Sequence, residues 1–339
     1  MRDSRVTGTA VPLLELRGVS KRFVKPLDTV DRFSNLVGAG LQEEVVHAVD
    51  DVTLAIQERD VVALVGESGC GKSTLGRMAV GLHSLSAGQR LWKGQVVGPA
   101  ATPATRKELL AIQMIFQDPY ASLNPRMRVQ DIVGEAPVAH GIIRVGEQQA
   151  YVEQLLGRVG LDGAAMRRFP HQFSGGQRAR IGIARALAVK PEFLVCDEAV
   201  AALDVSIQAQ VLNLFIELRN ALNLTYLFIS HDLGVVRHLA DRVVIMYLGR
   251  VVESAPADLL FAHPNHPYTQ ALLASEPKLE VKKRNFIPVK GEIPSPLHPP
   301  SGCHFHQRCP SAMAQCSTTP PPLREITADH FSACYLNGP

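Results

Sequence analysis

The chain has 339 residues, of which 46% are hydrophobic and 20% are charged, with a formal net charge of +3. This composition is typical of a globular protein with one large and one smaller domain, and it gives no sign of a polybasic surface, so no nucleic-acid partner is expected. The sequence shows neither an apolar stretch long enough to cross a bilayer nor an N-terminal signal peptide, so we expect a cytosolic protein.

The first predicted elements are strands. Residues 13–23 alternate apolar and polar side chains, and so do residues 45–56 after a charged, glycine-containing insert at 24–44. Residues 61–65 form a compact apolar run, which is typical of a buried parallel strand. Helical spacing follows over residues 74–82.

A glycine-rich loop joins that buried strand to that helix. Its sequence fits the phosphate-binding pattern G-x-x-x-x-G-K-[ST]. Backbone N–H groups and the helix N-terminus would bind phosphates, with Lys72 at the β- and γ-phosphates and Ser73 on Mg²⁺. A chance glycine-rich loop is the alternative, which the flanking strand and helix disfavour. The expected nucleotide contacts of the loop are Gly66, Ser68, Gly69, Cys70, Gly71, Lys72, Ser73 and Thr74.

Helices and further strands are predicted after the loop. Residues of about 118–190 have mostly helical spacing. The apolar face of the clearest helical segment consists of Val152, Leu155, Leu156 and Val159. Short apolar runs at 193–196, 225–229 and 242–246 alternate with helical stretches or loops, which predicts an α/β sheet flanked by helices.

A second anion site is predicted where the helical segment 178–187 begins. The residues before it are Ser174, Gly175, Gly176 and Gln177. A serine hydroxyl, bare backbone N–H groups and a helix N-terminus together favour an anion. A plain helix cap, with Ser174 as N-cap, is the alternative for this tetrapeptide taken alone.

Acidic and imidazole side chains follow two of the predicted strands. Asp197 and Glu198 end the first, where Asp197 would complete the Mg²⁺ shell and Glu198 would orient or deprotonate a water. His231 follows the second, and a lone histidine at a strand end is usually structural.

The order of these motifs over residues 13–262 resembles the ABC (ATP-binding-cassette) ATPases. The resemblance implies that the Ser-Gly-Gly-Gln signature loop completes the nucleotide site of a partner subunit, and that His231 helps to hold the attacking water. Gln117 matches the Q-loop, which links Mg²⁺ to the transmembrane partner, and Asp204 matches the D-loop between subunits. Phe23 is the candidate for stacking on adenine, with a core phenylalanine as the alternative.

These assignments define the expected site. The expected catalytic residues are Lys72, Glu198 and His231, and the expected Mg²⁺ ligands are Ser73, Gln117 and Asp197. One departure stands at residues 199–201, which read Ala-Val-Ala where family members commonly carry Pro-Thr-Ser or Pro-Val-Ser. Because the acidic pair is intact, hydrolysis of ATP is expected.

The resemblance also implies a fold class and a domain organisation. We expect an α/β nucleotide-binding domain at 12–262, with a RecA-like core, an antiparallel β subdomain and a helical signature subdomain at about 118–190. A proline-rich extension that contains cysteines occupies residues 263–339. Its many prolines predict an extended tail and not a continued sheet.

Segments at 196–210, 266–273 and 294–303 resemble the oligopeptide and dipeptide importer branch. The branch implies pairing with a second, different ATPase subunit, two transmembrane permeases and an extracytoplasmic solute-binding protein, at the cytoplasmic face of the membrane. The chain resembles the second of the two ATPase types. A nickel or other small-solute importer is the alternative. A non-transport ABC ATPase and an iron–sulfur sensor are disfavoured, since their inserts are missing and the hydrolytic set is complete.

The cysteines of the extension are a candidate metal site. They are Cys303, Cys309, Cys316 and Cys334. Since a cytosolic compartment keeps thiols reduced, ligation is expected before disulfides. The resemblance implies a [4Fe-4S] cluster of structural role, which takes four cysteines. A structural Zn²⁺, whose usual C-x2-4-C spacing is missing, and unliganded thiols are the alternatives.

Overall fold

The structure is a computed structural model that describes residues 11–26, 43–98, 108–275 and 291–338. Most of the predicted insert at 24–44, and the N-terminal residues considered for a signal peptide, lie outside these ranges. The strands are β1 (Leu14–Lys25), β2 (Glu44–Ile56), β3 (Val61–Val65), β4 (Ala87–Trp92), β5 (Gln95–Val96), β6 (Ile112–Ile115), β7 (Phe193–Asp197), β8 (Thr225–Ser230), β9 (Arg242–Tyr247), β10 (Arg250–Pro256), β11 (Arg324–Thr327) and β12 (His330–Ser332).

Helices connect and cover these strands. The α-helices are α1 (Lys72–Ala79), α2 (Pro119–Ser122), α3 (Val129–Ala139), α4 (Gln148–Arg158), α5 (Gly175–Leu187), α6 (Val205–Leu222), α7 (Leu233–Leu239), α8 (Ala257–Ala262) and α9 (Pro267–Ala274). Short 3-10 helices include His306–Arg308 in the extension. In the described part of the chain, no helix is both long and apolar enough to cross a membrane.

The smaller sheet is antiparallel, with strand order β2-β1-β4-β5. β1 pairs with β2 in a register that places Leu16 opposite Leu54. Leu14 and Leu16 are buried because the alternation of the sequence turns them toward the core, and Val19 is buried after an irregularity in the register of β1. This sheet is the expected antiparallel β subdomain.

The larger sheet holds the candidate site at one edge. Its order is β11-β12-β10-β9-β3-β8-β7-β6, and β9, β3, β8, β7 and β6 run parallel. β3 and β7 are buried along their whole length, which explains their continuous apolar sequences. Because parallel strands end at the same edge, the phosphate loop after β3, Asp197 at the end of β7 and His231 after β8 lie side by side.

A helical layer lies between β6 and β7 in the sequence. The apolar face predicted for α4 is confirmed, since Val152, Leu155, Leu156 and Val159 are all buried. They belong to one hydrophobic cluster with residues of α3 and α5, such as Val133 and Ile181. The packing fixes the N-terminus of α5, where the predicted signature loop lies.

The extension continues the larger sheet, so the expectation of a tail outside the sheet was wrong. β11 and β12 form an antiparallel pair, and β12 adds to β10 with Ser254 opposite Phe331. Tyr268 and Phe305 are fully buried in a cluster with the core residue Tyr247. The proline-rich stretches only connect these parts, and the hairpin covers the edge of β10 that would otherwise expose unpaired backbone groups.

Candidate nucleotide-binding and catalytic site

A cleft of about 410 Å³ lies at the carboxyl edge of the larger sheet, a volume in the range of small-molecule sites. Its lining joins both sheets and the extension. The lining residues are Phe23, Val46, Ala48, Ser68, Gly69, Gly71, Lys72, Ser73, Thr74, Gln117, Glu198 and Pro296. The cleft therefore brings together most of the residues predicted to bind the nucleotide.

The phosphate loop is fixed by close backbone contacts. Gly71 has φ +102°, and a Cβ at this position would lie 2.1 Å from the carbonyl oxygen of Ala48. A Cβ on Gly66 would likewise lie 2.1 Å from the carbonyl oxygen of Met246. Only glycine satisfies both the conformation and the space at Gly71. The loop thus follows the course that the motif predicts.

Lys72 lies at the centre of the loop. Its ammonium donates hydrogen bonds to the carbonyl oxygens of Gly66, at 2.8 Å, and Glu67, at 3.0 Å. The side chain is buried but reaches the cleft, where it can hold phosphate oxygens. Cys70 does not line the cleft, and burial raises the pKa of its thiol. Neither Cys70 nor Gly66 lines the cleft, so both belong to the structure of the loop and not to the cleft surface.

The oxygen atoms expected to hold Mg²⁺ lie next to each other. The Ser73 hydroxyl donates a hydrogen bond of 2.8 Å to Oδ1 of Asp197. Asp197 is 2% exposed, and this burial raises the pKa of its carboxyl, while the bond from Ser73 opposes the rise. A hydroxyl beside a carboxylate is the kind of oxygen donor set that Mg²⁺ takes. ATP and Mg²⁺ fit this site.

Glu198 lies between two polar partners at the cleft. Gln117 donates a hydrogen bond of 2.6 Å from Nε2 to Oε2 of Glu198, and Nδ1 of His231 lies 3.3 Å from Oε1. Glu198 has φ +47°, which is uncommon for a residue with a side chain. Its own N–H donates to the carbonyl oxygen of Ile229, which anchors it to β8. The strained backbone holds the carboxylate toward the cleft, as expected for a catalytic group.

Phe23 forms part of the cleft wall. It is 38% exposed, so the alternative of a core phenylalanine is wrong. Its ring packs edge-on against His83, with centroids 5.4 Å apart, and the ammonium of Lys21 lies 5.0 Å from its centroid. The stacking of adenine on this ring stays a prediction.

The signature loop lies apart from the cleft. Ser174 caps α5, and its hydroxyl accepts a hydrogen bond from the N–H of Gln177. A Cβ on Gly176 would lie 2.4 Å from a methyl group of Ile207 in α6, and Gly175 faces Leu203. Among the described residues that line the cleft, none belongs to residues 174–177, and Asp204 at the start of α6 is also outside. The structure shows the helix cap, and the binding of a partner's nucleotide by this loop stays a prediction.

Pro296 is a residue of the cleft that sequence reasoning missed. It belongs to the proline-rich stretch of the extension, and its carbonyl oxygen accepts a hydrogen bond of 3.0 Å from the N–H of His47 in β2. Its ring lines the cleft close to the phosphate loop. Nothing in the local sequence signals this contact, since it joins residues about 250 positions apart.

The cysteines of the extension surround one small cavity. Cys303, Cys309, Cys316 and Cys334 all line it, together with Phe305, and all four are free thiols. Burial raises the pKa of the Cys303 thiol to about 11, and it also raises the pKa of Cys309 and Cys334. In the described ranges, no three or more His, Cys, Asp or Glu side chains lie close enough to hold a metal ion. The iron–sulfur and zinc expectations therefore gain no support from this geometry.

Comparison with known proteins decides the family. The family profile described as ABC transporter matches residues 49–201, and the one described as oligopeptide/dipeptide transporter, C-terminal region, matches residues 252–316. The oligopeptide transport ATP-binding protein AppF of Bacillus subtilis is 49% identical over 328 residues, which cover 96% of this chain and 97% of AppF. The chain belongs to the ABC transporter ATP-binding proteins.

Solved structures of other proteins share the fold of this ABC ATPase. Superposition on cbiO1 from Clostridium perfringens gives a TM-score of 0.60 at 24% identity and covers 74% of this chain and 91% of cbiO1. The ATP-binding cassette MJ0796, bound to ADP and Pi in a dimeric structure, gives 0.59 at 23% identity and covers 72% and 98%. At this identity the likeness shows the fold alone.

The comparisons and the site together confirm the prediction of an ABC ATPase. The oligopeptide/dipeptide profile covers the region of the extension from residue 252 to residue 316, so the alternative of a nickel or other small-solute importer is not favoured. The individual roles of the site residues stay predictions.

Proposed function

We propose that this ABC ATPase is the subunit that powers a peptide importer. The proposal that the chain hydrolyses ATP rests on the position of Glu198. This residue is held by Gln117 and His231 at the mouth of the cleft that contains the phosphate loop. The proposal that the cargo is a peptide rests on the match of the extension to the oligopeptide/dipeptide profile and on the likeness to AppF over nearly the whole chain.

Hydrolysis follows from the side chains at the cleft. Backbone N–H groups of the loop and the ammonium of Lys72 hold the phosphates, while Ser73, Asp197 and Gln117 supply oxygen ligands for Mg²⁺. When bound, Mg²⁺ offsets the charge on the phosphate oxygens. Glu198 orients a water and accepts its proton, and His231 helps to hold that water against the γ-phosphate.

The full reaction takes place between two ATPase subunits. The signature loop of residues 174–177 does not line the chain's own cleft, which supports the proposal that it completes the cleft of a second, different ATPase subunit, with Asp204 at the junction. The pair acts at the cytoplasmic face of the membrane on two permeases, which receive peptide from an extracytoplasmic binding protein. Closure on ATP and reopening after hydrolysis drive the permeases.

The domain limits belong to this proposal. Residues 12–262 form the nucleotide-binding domain, in which residues of about 118–190 are the helical signature subdomain. Residues 263–339 form the extension specific to the importer branch. The extension packs on the core through β12 and the buried Phe305.

The cysteine cavity is the proposed place of a [4Fe-4S] cluster. The proposal rests on the ligand set, since four thiolates are what this cluster takes. The four thiols line one cavity, but in the described ranges no three of them lie close enough to hold a metal ion, so their spacing would have to tighten around a cluster. The spacing of the cysteines lacks the close pairs of a structural zinc site. A cluster here would hold the segments of residues 303–316 and 334 together, so its role is structural.

Transport is tested by uptake into proteoliposomes that contain the permeases, the second ATPase and this chain, with the binding protein outside. We expect ATP-dependent uptake of labelled peptide, and loss of uptake with Lys72→Ala. Lys190→Ala, an exposed lysine far from the cleft, is the matched control. Uptake of Ni²⁺ in place of peptide, or uptake that survives Lys72→Ala, would contradict the proposal.

The cluster is tested by iron, sulfide, zinc and visible absorbance measurements on one anaerobically purified sample. We expect four irons and four sulfides per chain, lost in Cys303→Ser and Cys334→Ser and kept in Cys70→Ser. Stoichiometric zinc, or no metal, would show that the cluster assignment is wrong while leaving the ATPase assignment intact.

A further inference from the structure

The extension contacts the phosphate loop directly, through Arg308. Its guanidinium donates two hydrogen bonds to the carboxylate of Glu67, from Nη1 to Oε2 at 2.8 Å and from Nη2 to Oε1 at 3.1 Å. Glu67 is the second residue of the phosphate loop, 241 positions before Arg308. A paired contact of this kind fixes direction as well as distance, since both planar groups must align.

Arg308 is placed for this contact by its own surroundings. Its side chain is 7% exposed, and the carboxylate of Glu67 is 25% exposed, so the pair is largely shielded from water. Nη1 also donates to the hydroxyl of Tyr247 at 3.3 Å, and the guanidinium lies 6.0 Å from the ring centroid of Phe305. The bonds to Glu67 and Tyr247 raise the pKa of Arg308, which is charged in any case.

A second residue of the extension holds the backbone of Glu67. The N–H of Glu67 donates a hydrogen bond of 2.9 Å to the hydroxyl of Tyr268, a fully buried residue of α9. The rings of Tyr268, Tyr247 and Phe305 pack on each other with centroid separations of 4.7 to 5.4 Å. Glu67 is thus held at its side chain and its main chain by residues beyond residue 262.

The contact continues to the phosphate-binding lysine. The carbonyl oxygen of Glu67 accepts a hydrogen bond of 3.0 Å from the ammonium of Lys72. A loop that shifts at Glu67 therefore moves an acceptor of Lys72 and the backbone N–H groups that follow. The aligned N–H groups of such a loop bind phosphate well only when they are held in place beforehand.

We propose that Arg308 is a positioning residue for the phosphate loop, which holds Glu67 so that the loop is ordered for ATP before ATP arrives. This inference goes beyond the proposed transport function, since it concerns the nucleotide affinity of the purified chain and does not depend on the cargo. On this inference the extension contributes to nucleotide binding, in addition to pairing with the larger sheet.

The test is a set of variants assayed for ATP affinity on the purified chain and for KM and kcat of hydrolysis in the assembled pair of ATPase subunits. We expect Arg308→Gln to raise the KM for ATP about tenfold with little change in kcat, because it loosens the loop without touching the reacting atoms. Arg308→Lys keeps the charge and loses the paired geometry, so it should restore part of the affinity. Arg324→Gln, an exposed arginine on β11 of the same extension, is the control and should leave KM unchanged.

Glu67→Gln keeps the test informative if Arg308→Gln folds poorly. It should raise the KM for ATP by a similar factor, and the double variant should be no worse than either single one, because both changes remove the same contact. Independent effects that multiply in the double variant, or an unchanged KM in Arg308→Gln, would overturn the inference. Equal losses of kcat and of thermal stability without a change in KM would also overturn it, since they would indicate a merely structural contact.

Discussion

At the scale of single residues, the backbone of Glu198 decides where its carboxylate lies. The residue follows β7 with a positive φ, and its N–H and carbonyl groups bond to Ile229 and Ala201. Ala199 and Val200, in the segment that departs from the family pattern, are buried in the core directly after Glu198. With this segment in place, the Glu198 carboxylate lies at the cleft.

The first prediction concerns this carboxylate. Glu198→Gln keeps the shape of the side chain and removes its ability to accept a proton, so we expect hydrolysis to fall at least about a hundredfold while ATP stays bound. Phosphate release and the amount of retained ATP, measured on the same sample, check it. Glu153→Gln, an exposed glutamate of α4, is the matched control. Hydrolysis at the normal rate in Glu198→Gln would remove this residue from the catalytic role.

At the scale of elements, the sequence predicted those strands and helices whose pattern is strong. β1, β2, β3, β7, β8 and β9 all lie where alternating or continuous apolar residues indicated strands. β4 was missed because its first residues, Ala-Gly-Gln, are small or polar and expose their side chains, so neither strand pattern is present. β11 and β12 were missed because prolines dominate the composition around them, and because only the free edge of β10 makes them strands.

Some residues of the candidate site could likewise be predicted from the sequence, and others could not. The phosphate loop, Asp197, Glu198 and His231 were predictable, since each follows a strand whose position the pattern gives. Pro296 and Arg308 were not, because their contacts with the cleft and the loop come from the way the extension folds back over the core. Such long-range contacts depend on packing, and no local pattern reports them.

The second prediction concerns the junction between β10 and α9. His266 is 1% exposed; its ring Nδ1 accepts a hydrogen bond from the N–H of Tyr268, and its backbone N–H donates to the buried carboxylate of Glu253. Burial lowers the pKa of His266 to about 4, against a smaller opposing effect of its bond to Ala333. The unfolded chain, with a histidine pKa near 6.5, therefore binds the proton more readily than the folded chain. The stability that this difference contributes is present above pH 6.5 and is lost as the pH falls toward 4.

The variant His266→Asn isolates this effect. Asparagine can still cap α9 but does not titrate, so we expect the wild type to lose about 2 kcal/mol more than the variant between pH 7.5 and pH 5. Denaturant unfolding at both pH values measures the difference. His298→Asn, an exposed histidine of the extension, is the control. Parallel curves for the wild type and His266→Asn would show that His266 does not carry this acid sensitivity.

At the scale of the whole molecule, the nucleotide cleft and the predicted signature loop lie in different parts of the described chain. The cleft is built from both sheets and the extension, whereas the signature loop caps α5 in the helical layer. Because residues 174–177 do not line the chain's own cleft, the proposed function gives them a role at the nucleotide of a second ATPase subunit. On that proposal, a pair of ATPase subunits is the unit that hydrolyses ATP.

The third prediction separates the two features. Ser174→Arg places a long cationic side chain in the signature loop, so it should block the approach of the partner's nucleotide and stop hydrolysis in the assembled pair. ATP affinity of the isolated chain should stay within about twofold of the wild type, because Ser174 does not line the chain's own cleft. Ser174→Thr keeps the capping hydroxyl of α5 and is the control, which should retain both activities. Nucleotide binding to the isolated chain and ATPase activity of the pair are measured on the same preparations. A tenfold loss of affinity in isolated Ser174→Arg would place the signature loop in the chain's own site and remove the reason for a pair.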